Sequence, residues 1–217
     1  MKEDKREALA QFHRNNILTT AERLFSEKGI EKTTMDDIAK VSDYSKATLY
    51  VYFQNKEAIV NTLTYNSMKA LYDSLHHGLS QSNNLFITYK AICYELVRYE
   101  ENYPLYFQIA IQDINVHIYH PDTPPIFKDI FEVGEAINGE IGLFLHQGIE
   151  SGLVKSELAI LPTIFYFWAS LTGIIKLASE KRQYIETSMH MKKQEFLDYN
   201  FKLLLQSVLK EGVQNVY

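Results

Sequence analysis

Residues 33–56 read TTMDDIAKVSDYSKATLYVYFQNK, and the fold is decided there. Thr33 and Thr34 are good N-cap residues, and Asp36 and Asp37 fall in the first helical turn, where negative charge suits the helix dipole. Met35, Ile38 and Ala39 make one apolar face, which ends at Val41. Ser42, Asp43 and Tyr44 then break the period. Ser45 caps a second short helix carrying Lys46, Ala47, Thr48, Leu49 and Tyr50. Leu49 and Phe53, four apart, point the same way and can pack on the first helix. Lys46, Ala47, Thr48, Tyr50 and Tyr52 are left at or near the surface. A short helix presenting a cation, hydroxyls and phenols is equipped to lie in a DNA groove.

The same register extends outward on both sides. Ile17-Leu18, Ala21, Leu24-Phe25, Lys28-Gly29, Thr33-Thr34-Met35, Ile38-Ala39, Ser45-Lys46, Thr48-Leu49-Tyr50, Tyr52-Phe53 and Asn55-Lys56-Glu57 together closely resemble the DNA-binding domain of TetR-family transcriptional regulators. The resemblance covers roughly the first quarter of the chain. It implies an all-α homodimer of about nine helices. A three-helix helix-turn-helix domain would occupy residues 1–54, and a larger ligand-binding and dimerisation domain residues 55–217. Carried over residue by residue, it assigns contacts with double-stranded operator DNA to Thr34, Ser45, Lys46, Ala47, Thr48, Tyr50, Tyr52 and Lys56. Lys46 can bond guanine acceptors or a phosphate, Ala47 can touch a thymine methyl, and the phenols can donate to phosphate oxygens. Packing on a helix seam is the plainer reading of Tyr50 and Tyr52. The chain departs from the family pattern at the turn, with Asp43 and Tyr44 where Gly and Val commonly stand and Ala47 in place of a frequent Gly. Asp tolerates positive φ better than most residues, so the turn survives.

Composition is that of an ordinary globular protein: 217 residues, 46% hydrophobic and 23% charged. No run approaches the ~18 apolar residues of a membrane span. The start, MKEDKREALA, lacks an apolar signal core, which predicts a cytoplasmic site and no membrane partner. Cys93 stands alone among apolar neighbours and reads as a buried inert thiol in a reducing compartment. The net charge of −5 does not favour DNA. The first sixty residues carry equal numbers of basic and acidic side chains, so the negative excess lies beyond them. The case for DNA therefore rests on placement, with Asp36 and Asp37 held away from phosphate while Lys46 and Lys56 face it. Backbone amides at helix N-termini add to that. Lys2, Lys5 and Arg6 read either as a basic arm or as a solvated helix start.

Periodicity predicts a first helix over 7–28, with Phe12, Ile17, Ala21, Leu24 and Phe25 facing inward and Gly29 ending it in the left-handed region. Asn55 caps a helix that runs to about His77, with Gly78 behind it. Lys56 in its first turn opposes the helix dipole, which predicts a phosphate partner. This helix joins the two domains and is the natural lever between them. Further helices are predicted over 85–101, 104–118, 126–150, 158–180 and 189–210, and a proline-rich loop over 117–125.

Most of the 15 Tyr, 12 Phe and 1 Trp lie beyond residue 60. Tyr89, Tyr94, Tyr103, Phe107 and Tyr166 are candidates for a ligand pocket, although core packing and dimer contact account for them equally well. Phe165, Trp168, Ala169 and Thr172 on one helix, with Phe196, Tyr199 and Leu203 on the last, are candidates for a dimer seam. The resemblance implies that such a seam is an intermolecular four-helix bundle; an intramolecular core is the alternative. His76 with His77, and His117 with His120, read as loop histidines rather than metal ligands. Glu95, Glu100 and Glu101 read as a solvated face. No Gly-rich phosphate loop, GxSxG elbow or HExxH is present, and no cofactor is called for. The expectation is a DNA-binding regulator, a repressor released by a small hydrophobic or aromatic effector. A helix-turn-helix regulator without such a ligand, or an enzyme using the aromatic-rich domain, are the rivals. Lys46→Ala is expected to weaken operator binding in a gel-shift titration; an unchanged affinity would count heavily against the assignment.

Overall fold

The computed structural model describes residues 2–111 and 123–214. His117, His120, Asp113, Asp122 and most of the predicted proline-rich loop lie outside the described residues, as does the side chain of Lys2. The fold is all-α, with ten helices among the described residues: α1 (Lys2–Lys28), α2 (Met35–Val41), α3 (Lys46–Tyr52), α4 (Lys56–Leu79), α5 (Leu85–Asn102), α6 (Pro104–Ala110), α7 (Pro125–Glu150), α8 (Ile160–Glu180), α9 (Arg182–Ser188) and α10 (Lys193–Gln206). The chain forms two compact units, and the divisions fall inside α4, after Ser67, and inside α7, after Ile130. The first is later than the 54/55 boundary read from sequence. The reason is that Ile59 and Leu63, in the first turns of α4, are sealed from solvent within the smaller unit.

The smaller unit is built on α1. Ile17, Ala21, Leu24 and Phe25 are buried along one stripe, and α2 and α3 pack against it. Phe12 does not join them, contrary to expectation; it is 63% exposed. Stepping back three and four residues from Ile17 along a 3.6-residue repeat reaches Arg14 and His13, not Phe12. Those two side chains turn inward. Arg14 donates to the Tyr52 carbonyl at 2.9 Å and its guanidinium lies 4.5 Å from the Phe53 ring centroid. Gly29 ends α1 at φ 86°, where only glycine is unstrained.

In the larger unit α5 packs on α8, and α10 packs on both. Tyr89 ties the three together. Its ring meets Phe167 edge-on at 5.9 Å and its hydroxyl donates to the Phe201 carbonyl at 2.9 Å. α4 and α5 come close where Gly78 faces α5; a Cβ there would lie 3.0 Å from the Ile92 Cα. α4 runs through Gly78 to Leu79, past its predicted end. The predicted last helix, 189–210, is shorter at both ends, and an unpredicted short helix precedes it. His190, at φ 54°, marks a break before α10, and α9 is a separate short helix. α10 stops at Gln206 because the chain then pairs antiparallel with the segment after α7: Lys155 N–H donates to the Val208 carbonyl at 3.0 Å and Lys210 N–H to the Leu153 carbonyl at 2.9 Å.

Several minor expectations change. Glu95 is buried rather than solvated, held by Arg98 and lying 3.5 Å from His77 Nε2. His76 and His77 are on α4, not in a loop, and His76 Nδ1 lies 3.2 Å from Glu140. Cys93, by contrast, is fully buried as expected, which pushes its thiol far above the ordinary range. α8 is, by length and composition, long and apolar enough to cross a membrane, against the sequence expectation that no run approaches this. It is apolar on two sides. Ile164, Phe167, Leu171 and Ile175 are buried inward, while Leu161, Phe165, Tyr166 and Leu177 are exposed.

Gly78→Ala is expected to lower stability by about 1–3 kcal/mol, because backbone cannot yield as a side chain can. Gly139→Ala meets nothing within 4 Å and is expected to be neutral or to stabilise by up to ~1 kcal/mol through helix propensity. Chemical denaturation of the two variants checks both signs.

Candidate nucleic-acid interface and ligand cavity

The helix-turn-helix is assembled from local hydrogen bonds. Thr33, fully buried, donates its hydroxyl to the Gly29 carbonyl at 2.9 Å and so anchors the approach to α2. Thr34 and Asp37 form a reciprocal capping box: Asp37 N–H donates to Thr34 Oγ1 at 3.1 Å, and Thr34 N–H to Asp37 Oδ2 at 2.9 Å. Lys28 Nζ lies 2.8 Å from the same carboxylate. Lys28, then the Thr34 hydroxyl and amide, hold the Asp37 carboxyl well below the usual carboxylate range. The turn after α2 closes through Ser42, whose N–H donates to the Ile38 carbonyl at 2.9 Å, and Tyr44, whose N–H donates to the Ala39 carbonyl at 3.1 Å. Asp43 takes φ 60° between them, the conformation expected of it. Tyr44 is anchored by its hydroxyl, 2.6 Å from His13 Nδ1.

Ser45 caps α3, accepting from Thr48 N–H at 3.0 Å. Leu49 is 0% and Phe53 2% exposed, so the rest of the helix is forced outward. Thr34, Ser45, Lys46, Ala47 and Tyr50 are exposed on this side. Val51, 78% exposed, joins them, and the sequence reading had passed over it. Its position four residues after Ala47 was the available signal. Thr48 is half-buried, with its hydroxyl 2.8 Å from that of Ser45. Tyr52 is also half-buried, its ring 5.6 Å from the His13 ring.

The two cations do not lie as expected. Lys46 Nζ is 2.7 Å from Asp36 Oδ1, so Asp36 is not held apart from the reading helix. The adjacent carboxylate raises the Lys46 ammonium above its ordinary value. Lys56 Nζ donates to the Ile30 carbonyl at 2.9 Å and more weakly to that of Glu31. Its place in the first turn of α4 is thus explained by bracing the turn after α1, without a phosphate. Asn55 caps α4 as predicted, accepting from Ala58 N–H at 2.8 Å.

Within the larger unit a cavity of about 500 Å³ is lined mainly by aliphatic side chains, among them Met68, Leu71, Ile137 and Ile164. Asn138 is its amide and Trp168 its indole. None of the five predicted aromatic residues lines it. Tyr89 belongs to the α5–α8–α10 core. Tyr94 donates to Asp198 and meets Gln194 in a separate charged hollow. Tyr103 is exposed and stacked on Tyr106, Phe107 is buried 6.3 Å from the Tyr99 ring, and Tyr166 is exposed. Two predicted seam residues, Phe165 and Trp168, line the cavity, and Phe165 is also 59% exposed. Thr172 is buried, its hydroxyl donating to the Trp168 carbonyl at 2.7 Å, and Phe196 is half-buried. Ala169, Tyr199 and Leu203 remain exposed, beside Leu161 and Leu177. Among the described residues no group of His, Cys, Asp and Glu is arranged to hold a metal.

Comparison with known proteins agrees with this geometry. The family described as bacterial regulatory proteins, tetR family, matches residues 17–63. The biofilm operon icaADBC HTH-type negative transcriptional regulator IcaR of Staphylococcus aureus is 29% identical over 139 residues, 62% of this chain and 70% of its own. An HTH-type transcriptional regulator of Haemophilus influenzae is 24% identical over 197 residues, 90% of this chain and 91% of its own. The fold is shared with the TetR family transcriptional regulator PfmR from Thermus thermophilus, at a TM-score of 0.65 and 22% identity over 88% of this chain and 97% of that one. It is shared also with the ketosteroid transcriptional regulator KstR2 of Mycobacterium tuberculosis, at 0.67 and 18% over 91% and 95%. With its capped helix-turn-helix at the matched residues and an all-α fold among the described residues, the chain carries the DNA-binding domain of the tetR family and shares the fold of its solved members.

Proposed function

We propose that this regulator is a homodimeric repressor, acting in the cytoplasm, that leaves its operator when a small apolar effector enters the larger unit. The observation that carries the DNA-binding half is the outward face of α3. Lys46, Ala47, Tyr50 and Val51 are exposed while Leu49 and Phe53 are sealed beneath them. Such a face offers a cation, a phenol and two apolar contacts to a major groove. Repression is the mode named for the Staphylococcus aureus relative. The dimer is supported by the exposed apolar residues Leu161, Tyr166, Ala169 and Leu177 on α8 and Tyr199 and Leu203 on α10. Covering them with a second copy removes apolar surface from water and explains why α8 is apolar on two sides.

The effector reading rests on the cavity. Its size falls in the range of small-molecule sites, and its lining is apolar with an amide and an indole to orient a polar group. No charged side chain among the described residues lines it, so an uncharged ligand is favoured. Met68 and Leu71 reach the cavity from α4, the helix whose first turns belong to the helix-turn-helix unit. A ligand that moves α4 would therefore bias the spacing of two reading helices, by no more than its differential affinity for the two arrangements.

The test is a gel shift with the duplex upstream of the protein's own coding region, with and without a panel of uncharged apolar compounds. Retardation that falls steeply with salt, and release by a compound that also raises the melting temperature, are expected. Gly134→Leu, which fills the cavity from α7, is expected to bind the duplex normally yet resist release. Operator binding indifferent to every compound that stabilises the protein would remove the effector and leave a regulator without a small-molecule switch.

A further inference from the structure

The reading helix carries one cation, Lys46, and that cation is already partnered. Asp36, in the first turn of α2, meets it across the helix-turn-helix. Both side chains are well exposed, at 58% and 68%, so the pair stands on the surface a duplex would meet. Neither group is a helix cap: Thr34 and Asp37 cap α2, and Ser45 caps α3. As an exposed ion pair it adds only little to holding the two helices together. We propose that Asp36 is a positioning residue for DNA recognition, holding the Lys46 ammonium against α2 on non-specific DNA and releasing it where a docked duplex offers a better acceptor. The inference rests on the DNA-binding reading above.

The physical reason lies in what non-specific binding is made of. Sequence-independent attraction is nearly all electrostatic, and each phosphate neutralised by a cation adds about 0.9 to the slope of log affinity against log salt. A lysine neutralised by its own carboxylate releases no counterion and adds nothing. Exposed ion pairs are weak, so a guanine edge or phosphate presented in good geometry can displace Asp36. The cost of Asp36 then falls more on random DNA than on the operator, and discrimination rises. The neighbouring charges follow the same pattern. Lys28 is held by Asp37 and Lys56 by main-chain carbonyls, and the first sixty residues carry no net charge.

The experiment is a set of fluorescence-anisotropy titrations on the full chain, using a scrambled-sequence duplex and the upstream duplex between about 50 and about 200 mM salt. On the scrambled duplex Asp36→Asn is expected to steepen the salt slope by about 0.9 per bound protomer, so that its advantage over the native protein shrinks about 3.5-fold per bound protomer across that range. The ratio of upstream to scrambled affinity is expected to fall. Asp36→Glu, which keeps the charge, is expected to keep the native slope. In a Lys46→Ala background the effect of Asp36→Asn is expected to vanish. An unchanged slope in Asp36→Asn overturns the proposal, as does a gain that persists without Lys46, which would make Asp36 a repulsive charge in its own right. Thermal unfolding is followed in parallel, and Asp36→Ser replaces Asp36→Asn if the latter is destabilised. A native protein that binds neither duplex overturns the DNA-binding reading itself and this inference with it.

Discussion

Burial of Leu49 and Phe53 against the small helical core is the constraint on which the reading surface depends. Both side chains are withdrawn almost completely from water. Removing a leucine from such a site costs on the order of 2–5 kcal/mol, a large part of the stability of a domain this size. Because α3 has only two turns, fixing those two residues fixes its rotation. Lys46, Ala47, Tyr50 and Val51 then have nowhere to go but outward. The caps at Thr34 and Ser45 and the left-handed Asp43 set where each helix starts, so the rotation and the register are determined by different residues.

Electrostatics in this domain is arranged by pairing rather than by excess charge. Four basic side chains are held by carboxylates or carbonyls: Lys28 by Asp37, Lys46 by Asp36, Lys56 by Ile30 and Glu31, and Arg14 by Tyr52. Arg14 and Lys56 act as struts, bridging segments distant in sequence. Lys46 differs because its partner is a well-exposed side chain and can be exchanged. A chain with net charge −5 can serve a polyanion in this way, keeping long-range attraction low and leaving contact to short-range geometry.

The larger unit shows the other side of helix packing. Tyr89 locks α5, α8 and α10 into one core, and Gly78 lets α4 approach the α5 backbone. Where helices instead stay apart, a cavity remains, lined chiefly by ordinary aliphatic residues. The tyrosines that looked like ligand anchors do not line it: Tyr89 packs in the core, Tyr94 donates to Asp198, and Tyr103 and Tyr166 are exposed. An aromatic residue is as useful for filling space as for enclosing a ligand, and its identity carries no mark of which it does.

The helical class, the two-helix reading unit, its caps at Thr34, Ser45 and Asn55, the positive φ at Asp43 and the outward set Lys46, Ala47 and Tyr50 were all legible from the chain alone. Each depends on residues within four or five positions of one another, where helical repeat and capping chemistry act directly. Tertiary structure alone decided that Lys46 meets Asp36, that Lys56 braces a turn, that Phe165 and Trp168 face a cavity, and that the last helix stops at Gln206. These outcomes join residues from ten to about a hundred positions apart. They follow from how helices are spaced, which no local pattern encodes.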